Sequence, residues 1–368
     1  MEYVNINYVK AGSHKPDSWK LKTAKDKIYA DKNAYLTNYQ ELYILVDFDF
    51  NVIGNIENYW AAKETNQKAI PCLRPGPKAE SSNFPQRVQL EITSVCNIEC
   101  IMCPRSEQFN RPRMHMEWDI FKKSINEIAQ HGILQLQLFH IGESLLNPLF
   151  FDMMEYISQF DNLGAKWLSS NGNVLNEMII KKLLKSPIDF LNISLNSTVE
   201  DIYNEICFES DYSQVVANLN MLIRLKKESG RRKPVIRTQL IDQPLTRNQL
   251  SEYLEIWGDK ADLISINKLE AFAGQVSKNI SFSTGRIQRE KKSKVCKRLD
   301  RGDFFILSNG EVTICDADFN GLMSLGNIKN TSLKEIWDGD GYQEVLKTHR
   351  EKNYEKYELC RTCTDWDL

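Results

Sequence analysis

Val88-Gln89-Leu90-Glu91-Ile92-Thr93, then Cys96-Asn97-Ile98-Glu99-Cys100-Ile101-Met102-Cys103-Pro104, is the stretch whose reading decides the fold. Its first six residues alternate apolar and polar, the period of a half-buried strand. Directly after it stand three thiols at C-x3-C-x2-C spacing. Three thiolates on one loop can hold three irons of a 4Fe–4S cluster, which would leave the fourth iron open to a small molecule. Zinc knuckles set their cysteines in matched pairs, and this loop has an odd count. Ferredoxin runs supply a fourth Cys nearby, whereas the next cysteine here is Cys207.

Outward from the loop, composition sets bounds. The chain has 368 residues, 42% hydrophobic and 26% charged, with a net charge of −2 from 47 basic and 49 acidic residues. These are ordinary values for a folded globular protein and call for neither nucleic acid nor an anionic membrane surface. Met1-Glu2-Tyr3-Val4-Asn5 shows no basic or apolar leader pattern, and no apolar run reaches the length of a membrane span. Nine cysteines without an export signal fit a reducing, cytoplasmic setting, where clustered thiols serve metals more often than disulfides.

After residue 86 strands and helices alternate. Strands are expected at 88–94, 134–141, 166–169, 190–195, 235–241 and 263–267. Between them lie amphipathic helices such as 117–130, with Phe121, Ile125 and Ile128 on one face and Gly132 beyond the end. Thr246-x-x-Gln249 and Ser332-x-x-Glu335 read as capping boxes. Six βα units imply parallel strands with crossover helices, and active residues at the strands' C-terminal ends. Residues 1–85 are least legible: a hairpin is expected around Phe50-Asn51, and Pro71-Cys72-Leu73-Arg74-Pro75-Gly76-Pro77 reads as a linker. This segment is either a cap on the barrel or a docking module for a peptide or carrier. Residues 275–293, ending in Arg286-Ile287-Gln288-Arg289-Glu290-Lys291-Lys292, read as a solvated bridge. Phe304–Leu307 and Glu311–Ile314 read as a hairpin in which Asn309-Gly310 supplies two residues with φ > 0.

With the triad at the end of a first barrel strand, the chain resembles the radical S-adenosylmethionine (SAM) superfamily, although Ile101 stands where that family often has an aromatic. The resemblance implies a partial (β/α)6 TIM-type barrel over 86–274, with Cys96, Cys100 and Cys103 holding a SAM-binding 4Fe–4S cluster. Gly142-Glu143-Ser144 after the second strand looks like the family's Gly-Gly-Glu motif at the SAM ammonium, without its doubled glycine. Ser170 and Asn171, in Ser169-Ser170-Asn171-Gly172, resemble the turn near the SAM ribose. Ser194 and Asn196 alternate with apolar Ile193 and Leu195, point inward, and are similar in position to SAM contacts. Arg237 is a candidate for a carboxylate of SAM or substrate, with a surface ion pair as the alternative.

Cys296, Cys315, Cys360 and Cys363 form a second group. With Gly326-Asn327-Ile328 between them, they look like the twitch/SPASM extension, which implies one auxiliary 4Fe–4S cluster in a small domain over 275–368. On chemistry alone four thiolates also suit zinc. Two 4Fe–4S clusters and SAM are therefore the expected cofactors. Of the remaining cysteines, Cys72 lies in the expected linker and Cys207 is a candidate hydrogen-atom donor; buried packing is the plain reading of both. His140 is a possible base or a hydrogen-bonded core residue, and Arg111 and Arg113 are possible anion ligands or solvated loop residues.

An auxiliary cluster with four thiolates has no open iron, so its natural use is to take or relay the second electron. That favours net two-electron oxidation, of a carbinol C–H to a ketone or of a peptide C–H to a cross-link. The resemblance to twitch enzymes implies the first, dehydrogenation of a secondary alcohol in a sugar, aminocyclitol or similar small polar substrate, by an enzyme served by a flavodoxin or ferredoxin-type donor. The alternative is maturation of a ribosomal peptide by cross-linking or epimerisation. A third possibility is a non-enzymatic electron carrier or zinc-stabilised binding protein.

Overall fold

A computed structural model describes residues 1–12, 16–30, 43–47, 49–73, 83–276 and 295–363. Among them, six parallel strands follow one another in space as in sequence: β5 (Arg87–Leu90), β7 (Gln135–Gln137), β8 (Ala165–Ser170), β9 (Phe190–Ser194), β11 (Val235–Asp242) and β12 (Leu263–Lys268). Between them run β6 (Glu99–Cys100) and β10 (Cys207–Phe208), which form their own two-stranded ladder. The six strands make the partial barrel, because their edges pair with other elements rather than with each other.

β12 takes β1 (Glu2–Asn5) in antiparallel register. Beyond β1 lie β4 (Ala69–Leu73), β2 (Ile44–Val46) and β3 (Val52–Gly54). At the other edge β5 takes β13 (Asp303–Ile306) in parallel, followed by β14 (Glu311–Thr313) and β15 (Gly326–Asn327). One sheet thus carries the N-terminal segment, the barrel and the C-terminal hairpin.

The helices form for local reasons. Helix Trp118–His131 buries Ile120, Phe121, Ile125 and Ile128, and ends at Gly132 with φ 73°. Asn176 caps Glu177–Lys185 through the Ile179 N–H, and Asp211 caps Tyr212–Ser229, which stops at left-handed Gly230. Their apolar faces pack on the outside of the sheet. Inside, Trp167 stacks on Phe190 at 4.0 Å between centroids and Phe50 approaches Phe190 at 6.5 Å, so the N-terminal segment packs under the barrel floor.

Several expectations need correcting. Residues 71–73 are strand, not linker: β4 pairs with both β1 and β2, and Cys72 is buried there. Residues 74–77 lie outside the described residues, as does the expected charged bridge beyond 276. Thr246 makes no capping box. Its hydroxyl donates to the Ile241 carbonyl, and the regular helix begins at Leu250. The Ser332–Glu335 box is present in both directions. At Asn309-Gly310 only Gly310 has positive φ, 87°. Its N–H bonds to the Leu307 carbonyl and Leu307 N–H to the Glu311 carbonyl, so the hairpin closes on a three-residue loop with one left-handed glycine.

Candidate functional site

The C-terminal ends of the six strands surround a cavity of about 470 Å³. Cys96, Cys100 and Cys103 line it on the loop after β5. Burial pushes the Cys96 thiol up and that of Cys103 up to about 11. For Cys100 the hydrogen bond with Cys207 leads and burial adds. The Arg105 charge and backbone N–H groups work the other way at Cys96 and Cys103. A metal centre here must therefore displace three protons on binding. Arg105 itself lines the cavity.

Against the root of the loop stands Glu143, 2% exposed, its N–H donating to the Val95 carbonyl at 2.9 Å. Its carboxylate accepts from the Leu145 and Asn171 N–H groups at 3.2 and 2.7 Å. Burial raises its pKa to about 7. At Gly142 an added Cβ would lie 2.3 Å from the Thr93 carbonyl oxygen and 2.8 Å from that of Val95, so only glycine lets the turn press against the root of the cysteine loop. Asn171 donates to Asn97 Oδ1 at 2.8 Å and reaches Cys96 Sγ at 3.8 Å. Ser170 lines the cavity beside it. Ser144 is different: it is absent from the lining, and its hydroxyl donates to the Leu138 carbonyl at 2.6 Å.

Ser194 and Asn196 also line the cavity. The Asn196 amide donates towards Cys207 Sγ at 3.6 Å, and its Oδ1 is buried with no protein partner. A buried acceptor left open beside an acid and three thiols fits a small ligand carrying an N–H or O–H donor, as the SAM amino and hydroxyl groups are. Cys207, 1% exposed, faces Cys100 across the β6–β10 ladder with the sulfurs 3.9 Å apart. Arg237 lies in the floor, where Nε donates to Asn192 and Nη1 to Glu2, and its guanidinium sits 4.9 Å from the Trp167 ring.

Arg111 is no anion ligand. It is buried on Glu91, donating to both carboxylate oxygens at 2.6 Å, and also holds Ser308 Oγ and the Phe319 carbonyl. Arg113 is half exposed, 3.5 Å from Glu99. Both ring nitrogens of His140 are engaged, Nδ1 with Glu91 and Nε2 with the Asp316 carbonyl. This buried cluster joins β5, the strand-two turn and the C-terminal hairpin. At Glu91 burial works upward, and the His140 and Arg111 contacts reverse it to about 2.

Asp316 carries the cluster to the second cysteine group. It lines the cavity, follows Cys315 and pairs with Arg298 at 2.5 Å. Against burial, the Arg298 charge keeps its carboxyl below the usual range. Burial pushes the Cys315 thiol well up; Arg298 opposes, and Asp316, Cys296 and Cys363 add, which places those thiols near one another. Cys363 and Cys315 pack on Ala273, Ala317 and Leu359, and the Cys363 N–H bonds to the Cys360 carbonyl. Among the described residues no three His, Cys, Asp or Glu side chains draw together around a single-ion point.

Sequence reading missed Asp316, Arg105 and the inward amides. Gln89, Gln137, Ser169, Asn192, Gln239 and Asn267 line the cavity. Asn192 donates to Ser169 Oγ at 2.9 Å and to Gln239 Oε1 at 3.3 Å. Their alternation with apolar neighbours, as in Val88-Gln89-Leu90 and Leu136-Gln137-Leu138, was the available signal.

The radical SAM superfamily model matches residues 90–237, and the iron–sulfur cluster-binding SPASM domain model matches 296–364. The chain is 26% identical over 318 residues to the tungsten-containing aldehyde ferredoxin oxidoreductase cofactor-modifying protein of Pyrococcus furiosus, covering 76% of this chain and 86% of that one. It is 22% identical over 283 residues to the S-adenosyl-L-methionine-dependent 2-deoxy-scyllo-inosamine dehydrogenase of Niallia circulans, covering 76% and 92%. The crystal structure of BtrN in complex with AdoMet and 2-DOIA superposes with a TM-score of 0.54 at 15% identity, covering 78% and 96%.

Proposed function

The chain belongs to the radical SAM superfamily and carries a C-terminal SPASM domain, and on that premise we propose that it dehydrogenates a secondary alcohol in a small polyhydroxylated or aminated substrate. Its cofactors are SAM, the SAM-binding 4Fe–4S cluster and auxiliary cluster chemistry in the SPASM domain. When bound, these supply a 5′-deoxyadenosyl radical and an acceptor for the second electron.

The observation that carries the substrate class is the cavity floor. Gln89, Gln137, Ser169, Asn192, Gln239 and Asn267 offer neutral donors and acceptors together, which suits many hydroxyls and penalises an apolar guest. Cys96, Cys100 and Cys103 hold the first cluster, and Cys296, Cys315, Cys360 and Cys363 the second. Glu143 and Asn196 orient SAM, with Ser170, Asn171 and Ser194 around it. Asp316 accepts the hydroxyl proton: it is held ionised by Arg298, faces the cavity, and adjoins Cys315, one of the thiols that would hold the auxiliary cluster. The likeness to the inosamine dehydrogenase supports the same choice. A flavodoxin or ferredoxin-type donor in the cytoplasm suits seven reduced thiolates.

The test is isotopic. Candidate polyols and aminosugars deuterated at the carbinol carbon are incubated with reconstituted protein, SAM and reductant. Transfer of one deuterium into 5′-deoxyadenosine, with one SAM consumed per ketone formed, is expected. No transfer from any of them, with cross-linking or inversion of a peptide instead, would replace this reading by peptide maturation.

A further inference from the structure

Arg105 stands two residues after Cys103, on the one-turn helix Pro104–Ser106. Its side chain is only 2% exposed. One end of the guanidinium is fixed: Nη2 donates to the Ile98 carbonyl and lies 3.0 Å from Glu99 Oε1. The other end, Nη1, is buried with no partner among the protein's own groups. A buried charged donor without an acceptor costs more than the ~1–3 kcal/mol of a neutral one. An orphan of this kind in a well-packed site points to a partner that is not part of the polypeptide.

The surroundings limit that partner. Arg105 lines the cavity with Cys96, Cys100 and Cys103. The nearby acids are taken: Glu99 by Nη2 of the same residue, Glu143 by two backbone N–H groups. Two groups of the bound state are then open to Nη1: the sulfur of the centre that the three cysteines hold, and SAM.

We propose that Nη1 of Arg105 donates a charge-assisted hydrogen bond to the SAM-binding cluster, at a thiolate or bridging sulfide, and raises its reduction potential. This rests on the cluster assignment above. Hydrogen bonds to sulfur and local charge are among the factors that set cluster potentials. A cation and its N–H stabilise the more negative, reduced form, so one-electron reduction becomes easier while the cysteine ligands stay the same. Glu99 and the Ile98 carbonyl act as the clamp that keeps the planar fork aimed.

The experiment is an EPR-monitored redox titration of anaerobically reconstituted protein, without SAM. Wild type, Arg105→Lys and Arg105→Met are compared at equal iron per chain. Arg105→Met is expected to disfavour reduction at least tenfold, ~59 mV for one electron, with Arg105→Lys in between. An unchanged potential in Arg105→Met overturns the proposal; if SAM affinity falls instead, Nη1 serves the SAM carboxylate. Should the Met variant fail to load iron, wild type labelled with 15N only in the arginine guanidino group decides. Pulsed EPR of its reduced cluster is expected to show 15N coupling that Arg105→Lys lacks, and its absence in wild type overturns the proposal. Failure of the cluster assignment itself would look different, since wild type would then hold no SAM-cleaving iron at all.

Discussion

Replacing Arg111 by Met tests whether the buried Glu91 cluster clamps the barrel to the C-terminal hairpin. Glu91 is 1% exposed and accepts from Arg111, from His140 and from the Ser308 N–H at 2.9 Å. Removing Arg111 strands a buried carboxylate, and breaking such a pair from one side costs ~3–5 kcal/mol. Titration gives the scale of the cluster as a whole, in which His140 lowers Glu91 more than Arg111 does. The Glu91 carboxyl drops from 4.5 to about 2 in the folded protein, burial being outweighed by His140 and Arg111. That gap corresponds to about 3 kcal/mol. Because the folded value lies below the unfolded one, this stability is present above pH 4.5 and is lost as pH falls towards 2. Urea unfolding of the cluster-free, reduced protein at pH 7 is therefore expected to show Arg111→Met losing about 3 kcal/mol or more. In a Glu91→Gln background the same substitution should cost much less, since no charge is stranded. Equal losses in the two backgrounds, or a loss under about 1 kcal/mol, would refute the clamp.

Glu143 has a folded pKa of about 7 against 4.5, raised by burial; its contribution is full below pH 4.5 and declines as pH rises through 7, so SAM-free protein should lose up to about 3 kcal/mol across that window and Glu143→Gln should flatten the slope, as pH-dependent unfolding would report. Gly142→Ala puts a methyl 2.3 Å from the Thr93 carbonyl oxygen, and should displace the turn and weaken SAM binding at least tenfold by calorimetry, with the iron content unchanged. Asp316→Asn should leave 5′-deoxyadenosine formation in place while product falls by ~10²-fold or more, an uncoupling visible as SAM consumed per product.

The parts of the fold that sequence reading reached are those written locally. The cysteine spacing, the period-two strands and the Ser332–Glu335 box each sit within a few residues and need no distant partner. β4 stayed hidden because Pro71 punctuates it, and only pairing with β1 and β2 on both sides makes it strand. Thr246 misled because its hydroxyl has a nearer acceptor, the Ile241 carbonyl. At the site, motif order named Cys96, Cys100, Cys103, Glu143 and Asn171 together, and the fold sets all five around one cavity. Arg111 was misread because its carboxylate partner lies 20 residues back in another element. Arg105 and Asp316 adjoin cysteine ligands, but nothing in the chain tells which way a side chain beside a ligand points. Arg237 was open between two readings, and Glu2, 235 residues away, is the contact that fixes it in the floor.

A radical SAM enzyme with two cysteine-held clusters is read first from iron and sulfide per chain with mass spectrometry of 5′-deoxyadenosine, on anaerobically reconstituted wild type and Cys100→Ala with SAM and reductant. About eight irons and steady 5′-deoxyadenosine are expected in wild type, and about four irons with no 5′-deoxyadenosine in the variant. Wild type that cleaves no SAM, or a Cys100→Ala protein that keeps its full iron and activity, would contradict that assignment.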